Sequence, residues 1–263
     1  MIANNSHSKP LVVATGIAKS YPRVRALAPL SFTIQPGERV ALAGPSGSGK
    51  TTLLYLLAGI AQPDEGRLLV DNRPLAQLPP GKELSKLVGI IHQQYDLVPH
   101  LPVIHNVLAG RLGQWGLLRS FASLVWPQER HLAELALAQL GIADKIHERT
   151  SHLSGGEQQR VAIARVMVQS PQVVLADEPV ASLDPARAEE MLRLLTDLTT
   201  RAGKTLVVSL HSPYLIRKYC SRVIGLRNGR MVLDLPATEL TESVLDRLYD
   251  LDYRPQEVAS EVS

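Results

Sequence analysis

Cysteine is all but missing from this chain: Cys220 stands alone among 263 residues. A single thiol excludes an internal disulfide and a cysteine-rich metal site. The expectation for Cys220 is a small apolar residue in a reducing compartment rather than a reactive thiol. Charge of one sign is lacking too, because 28 Lys+Arg face 25 Asp+Glu for a net +3. So small a surplus makes a weak field and gives no support to nucleic-acid binding. No apolar run reaches the roughly 18 residues a membrane helix needs. Met1–Pro10 is polar, without the apolar stretch of a secretory signal. These absences together place the expected action on the cytoplasmic side. What is present is ordinary: 45% apolar and 20% charged residues, which excludes disorder and collagen-like repetition. No internal repeat is visible.

Short β-branched and Leu-rich runs alternate with helical patterns, and this alternation predicts an α/β fold. Strands are expected at Leu11–Ile17, Ser31–Ile34, Arg39–Ala43, Arg67–Val70, Leu87–Ile91, Val173–Ala176, Thr205–Leu210, Val223–Leu226 and Met231–Leu233. From Tyr95 to Ser154 the strand pattern stops, so this segment reads as a helical subdomain inserted into the core. Within it Glu129–Leu140 is expected as a helix stopped by Gly141, with Leu132, Leu135, Ala136 and Leu140 on one face. The apolar stretch Leu112–Trp126 is too short to span a bilayer. A packed hairpin and a docking surface for a membrane partner are the two readings of it, the hairpin being preferred. The division expected is one domain over residues 10–252, with a core of 10–93 and 160–252, a helical part of 94–159, and polar tails at 1–9 and 253–263.

Gly44-Pro45-Ser46-Gly47-Ser48-Gly49-Lys50-Thr51 fits G-x-x-x-x-G-K-[ST], with an apolar strand entering and an apolar helix, from Thr52, leaving. Glycines let successive N–H groups turn inward around phosphate oxygens, and the helix N-terminus adds its positive end. Lys50 is expected on the β- and γ-phosphates and Thr51 on Mg²⁺; Thr52 joins the nucleotide-binding set. A chance match in a chain this long is on the order of one in a hundred. Val173–Ala176 ends in Asp177-Glu178, a pair suited to holding Mg²⁺ with its waters (Asp177) and to polarising an attacking water (Glu178). Ser154-Gly155-Gly156-Glu157 opens a further helix: a capping box by pattern, yet a cap alone does not need two glycines.

These three motifs resemble an ATP-binding cassette ATPase, and the resemblance runs from about Leu11 to Tyr249. It implies a P-loop NTPase fold: a RecA-like core with an antiparallel β subdomain and an inserted helical subdomain. It further implies Tyr21 as the residue stacking on adenine and Gln93 as the Q-loop glutamine that meets Mg²⁺ or the attacking water. Ser182-Leu183-Asp184 resembles the D-loop, with Asp184 also a natural N-cap before Pro185. His211 resembles the switch histidine that senses the γ-phosphate. Catalytic work would then fall to Glu178, His211 and Gln93, and Mg²⁺ to Thr51, Gln93 and Asp177, with ATP as the nucleotide. The resemblance implies a head-to-tail homodimer in which Ser154, Gly155, Gly156 and Glu157 meet the ATP of the other copy. It also implies a membrane permease, docking around Tyr95–Arg111, and indirectly a periplasmic binding protein, with the ATPase peripheral on the cytoplasmic face of the inner membrane. Finer similarity, at Asn106–Gly113, Val180-Ala181, Ile224–Arg227 and Glu239–Thr241, is to the phosphonate-import branch, whose cargo would be phosphonate, phosphite or hypophosphite. A component of a cytoplasmic phosphonate-degrading assembly is the alternative.

Overall fold

A computed structural model describes residues 9–181 and 183–249. Ser182, the polar tails beyond Lys9, and residues 250–252 of the expected domain lie outside the described residues. The first strands are β1 (Val12–Tyr21), β2 (Val24–Ile34), β3 (Arg39–Ala43), β4 (Glu65–Val70) and β5 (Arg73–Pro74). After them come β6 (Val88–Ile91), β7 (Val173–Ala176), β8 (Thr205–Ser209), β9 (Arg222–Arg227) and β10 (Arg230–Pro236). The helices begin with α1 (Lys50–Leu57), α2 (Lys82–Leu87), α3 (Val103–Leu108), α4 (Leu117–Val125) and α5 (Arg130–Gln139). They continue with α6 (Gly155–Gln169), α7 (Pro185–Arg201), α8 (Pro213–Tyr219) and α9 (Glu242–Tyr249).

Two sheets result. One is antiparallel in the order β2-β1-β4-β5; the other runs β10-β9-β3-β8-β7-β6. In the larger sheet every pairing from β9 to β6 is parallel, and only β10 returns antiparallel on β9. Both faces of this sheet are covered, which is why its strands read as unbroken apolar runs. Alternate residues sort between two cores. Ala41 and Ala43, Val174 and Ala176, Leu206 and Val208 face the helices α3 and α5–α9. Val40 and Leu42, Val173 and Leu175, and Val207 face α1 and the antiparallel sheet.

Local chemistry explains where helices start. Ser154 caps α6 through a capping box with Glu157, Asp184 accepts from the Arg187 N–H at the start of α7, and Ser212 does the same for Leu215 at α8. Pro185 and Pro213 occupy first positions, where a missing N–H costs nothing. All the expected strands are present, and β5 is an addition. Several ends differ: β1 runs on to Tyr21 and β2 begins at Val24, so this hairpin is longer than expected, while Leu87 closes α2 instead of opening β6 and Leu210 lies just beyond β8.

Two expectations in the helical segment are corrected. On α5 the buried face is Ala133, Ala136, Leu137 and Leu140, an i, i+3, i+4, i+7 set, whereas Leu135 is 60% exposed. The stretch Leu112–Trp126 is no packed hairpin. A short 3-10 turn, Ala109–Gln114, leads through Trp115 and Gly116 into α4. Trp115 packs on the core, but Leu118, Phe121 and Trp126 project into solvent.

Candidate functional site

In open parallel sheets the C-terminal strand ends are where ligands gather. Here β3 runs into Gly44, β7 into Asp177 and Glu178, β8 into Leu210 and His211, and β6 into His92 and Gln93. The parallel register sets Ala176 beside Val208 and Ile91, and Leu42 beside Ser209, so these ends lie level.

The loop from Gly44 to Gly49 wraps the N-terminus of α1. Gly44 has φ 142° and passes so near β9 that a Cβ there would lie 2.0 Å from the Leu226 carbonyl oxygen. Gly49, at φ 106°, packs against Ala26 and Leu27 of β2. Only glycine meets both demands, positive φ and close approach. Lys50 is 5% exposed, and its Nζ donates to the carbonyls of Gly44 (2.8 Å) and Pro45 (3.0 Å). Burial pushes its ammonium below the usual lysine value, and Glu178 and Asp177 act against that shift. Ser48 Oγ is buried without a partner, while Thr51 stands exposed at the start of α1.

The two carboxylates divide as their strand end dictates. Asp177 is 6% exposed and accepts from Ser209 Oγ at 2.9 Å. Glu178 is held by His211 Nε2 at 2.8 Å on one oxygen and by Gln93 Nε2 at 3.4 Å on the other. Its backbone is left-handed, φ 46°, which costs a non-glycine residue about 1–3 kcal/mol. A cavity of about 290 Å³ opens beside Glu178 and His211.

These residues fit a nucleoside triphosphate with Mg²⁺. The orphaned Ser48 hydroxyl and a lysine that bonds only its own loop carbonyls are groups a phosphate would satisfy. Among the described residues no group of three or more His, Cys, Asp or Glu is arranged to hold a metal ion by itself. Mg²⁺ needs no such cage, since one or two protein oxygens, phosphates and waters suffice. When bound it supplies charge neutralisation on the phosphates.

The remaining expected residues fall in three places. Tyr21 ends β1 opposite Val24, at the hairpin whose β2 arm packs on the phosphate loop; its ring is 42% exposed with Lys19 Nζ 5.7 Å from its centre. Ser154 and Gly155 are exposed at the start of α6 and make no hydrogen bond to the phosphate loop among the described residues. Their bonds are local: the Ser154 N–H and hydroxyl donate to Glu157 at 2.8 and 2.7 Å. Those bonds hold the Glu157 carboxyl below its usual value. Leu183 packs on the helical core, and Asp184 caps α7.

Sequence reasoning passed over three residues. Ser209 Oγ accepts the Glu178 N–H at 2.6 Å while donating to Asp177; a lone hydroxyl closing the run Leu206-Val207-Val208 was its signal. Tyr249 of α9 accepts the Gly44 N–H at 3.4 Å through its hydroxyl, a contact over 205 residues with no sequence signal. Gln159 of α6 donates to the Pro179 carbonyl; a polar residue on a buried helical stripe was the available cue.

Fold and edge chemistry together place the chain in the class of ATP-binding cassettes. A family model described as ABC transporter matches residues 27–181. Over 236 residues the chain is 46% identical to the phosphonates import ATP-binding protein PhnC of Pseudomonas putida, covering 89% of this chain and 88% of that one. To PhnC 2 of Pseudomonas aeruginosa it is 46% identical over 241 residues, 91% and 90% of the two chains. The dimeric post-hydrolysis structure of the ATP-binding cassette MJ0796, bound to ADP and Pi, superposes with a TM-score of 0.72 at 30% identity, covering 86% of this chain and 98% of that one. For cbiO1 of Clostridium perfringens the TM-score is 0.73 at 28% identity, with 88% and 90% covered. The chain belongs to the ABC transporter ATPases, and among them to the phosphonates import (PhnC) family. It is an ATP-hydrolysing enzyme that works with Mg²⁺.

Proposed function

We propose that two copies of this chain close head to tail on two ATP molecules and thereby drive import of a phosphonate, or of phosphite or hypophosphite, through a membrane permease. The observation that carries the cargo class is the 46% identity to PhnC over 89% of the chain. Dimer closure draws support from the locally bonded turn Ser154–Glu157, whose Ser154 and Gly155 are exposed and which among the described residues makes no hydrogen bond to the phosphate loop, and from the dimer formed by the similar cassette MJ0796. The homodimer would sit on the cytoplasmic face of the membrane, under the permease, with a periplasmic binding protein supplying cargo from the other side.

In this reading residues 10–252 act as one ATPase domain, with 94–159 as its helical part. Gly44–Thr52 and Lys50 cradle the β- and γ-phosphates, and Tyr21 stacks on the base. Thr51, Asp177 and Gln93 are the residues that would hold Mg²⁺. Glu178 accepts a proton from the attacking water, and His211, already on its carboxylate, reports the γ-phosphate. Ser154, Gly155 and Gly156 of the partner close over that phosphate, and Ser182, Leu183 and Asp184 line the dimer seam.

The test is reconstitution. Chain, permease and binding protein in vesicles should hydrolyse ATP faster when the binding protein is loaded with a phosphonate, and accumulate that phosphonate inside. Co-purification with soluble phosphonate-cleaving subunits and no permease would move the protein to the alternative assembly.

A further inference from the structure

The carboxylate read above as the hydrolytic base is held in place from two sides, and only one side belongs to its own sheet. Glu178 has a left-handed backbone, φ 46°, and the residue after it is Pro179, whose ring disfavours helical backbone angles at the preceding position. Such a conformation persists only where neighbours over-determine it. On the N-terminal side the Glu178 N–H donates to Ser209 Oγ, which is locked by Asp177. On the C-terminal side the Pro179 carbonyl accepts from Gln159 Nε2.

Gln159 is an expensive residue for packing alone. It is 0% exposed, and its Oε1 has no partner. A leucine or methionine would fill similar space without an orphaned carbonyl, so the amide is explained by the one bond it makes. Its helix matters as much as its bond. Gln159 lies in α6 little more than a turn after Ser154, the cap whose exposed glycines are to meet the partner's nucleotide. A buried amide therefore joins the first turns of α6 to the Pro179–Val180 peptide, one residue past Glu178.

We propose that Gln159 is the positioning residue that sets the Glu178 carboxylate and couples it to the Ser154–Glu157 turn of the same chain. The proposal rests on the reading of Glu178 as the hydrolytic carboxylate. Gln159→Leu removes the donor and keeps most of the volume; Gln159→Met serves as a second variant should the first not fold.

Single-turnover hydrolysis and binding of a non-hydrolysable ATP analogue are measured on the full-length chain, assembled with its permease, in wild-type and Glu178→Gln backgrounds. The expected result is a kcat lowered about tenfold with KM and analogue affinity within about twofold. In the Glu178→Gln background the same substitution should change the residual rate less than about twofold, because its effect passes through the missing carboxylate. Equal losses in the two backgrounds, or a matching loss of analogue binding, would make Gln159 a general packing residue and overturn the proposal. So would wild-type turnover in Gln159→Leu. A Glu178→Gln chain that hydrolyses normally is a separate outcome: it removes the reading of Glu178 itself.

Discussion

Two regions of this molecule offer backbone N–H groups to an anion at a helix start, and they are built in opposite ways. The phosphate loop is tied to distant parts of the chain. Gly44 lies against Leu226 and Tyr249, Gly49 against Ala26 and Leu27, and Lys50 is buried beneath its own loop. The turn Ser154–Glu157 is bonded locally, through Ser154 and Glu157. A Cβ added at Gly155 or Gly156 would meet nothing within 4 Å. Glycine is demanded by neighbours in the first case and by no neighbour in the second. One half-site is thus fixed by distant parts of its own subunit, and in the proposed dimer the other would gain its purpose by assembly.

Substitutions can break that contrast, the deepest expected loss coming from the preorganised half. Glu178→Gln should lower kcat by about 10²–10⁴-fold while leaving ATP binding intact, measured by phosphate release beside a nucleotide titration. Lys50→Ala should weaken ATP binding by about tenfold to a hundredfold, the worth of a charge-assisted phosphate contact. Retained affinity in calorimetry would detach Lys50 from the nucleotide. Ser154→Ala tests the other half. It should leave ATP affinity of the dilute subunit unchanged, lower kcat of the assembled dimer by about tenfold, and cost about 1 kcal/mol of stability as a lost cap. A drop in monomer affinity would show that the two regions are not separate.

The smallest effect is a pH dependence. Ser154 holds Glu157 below its ordinary carboxyl value near 4.5, so the folded state favours the ionised form. The stability this contributes is fully present above that value and is lost as pH falls through the lowered folded-state pKa. Because the pair is exposed, the effect is small. Glu157→Gln should flatten that part of an acid-unfolding curve, by lowering the neutral-pH melting temperature slightly while leaving the acid end unchanged.

Much of this was legible before any coordinates. The phosphate loop, the strand-end carboxylates and the three helix caps are written within a few consecutive residues, since each is short-range backbone chemistry. Leu135 misled because leucine spacing alone also fits a 3–4 pattern; Ala133 and Leu137 win the buried face by their angular position. Leu118, Phe121 and Trp126 misled for another reason. Apolar composition favours burial, but whether α4 finds a partner depends on how the preceding turn aims it.

By its own order of residues the chain determined which glycines and lysine form the loop before α1, which carboxylates stand beside it, and which helices start where. Those properties depend on neighbours one helical turn away at most. Tertiary structure alone decided that Ser209 bonds at both carboxylate residues, that Tyr249 seals the first loop glycine, and that Gln159 reaches from α6 to the Pro179 carbonyl. Those pairings span 20 to 205 residues. Nothing local encodes them, because each exists only after sheet and helices have buried their apolar faces and left a polar atom that must find a partner.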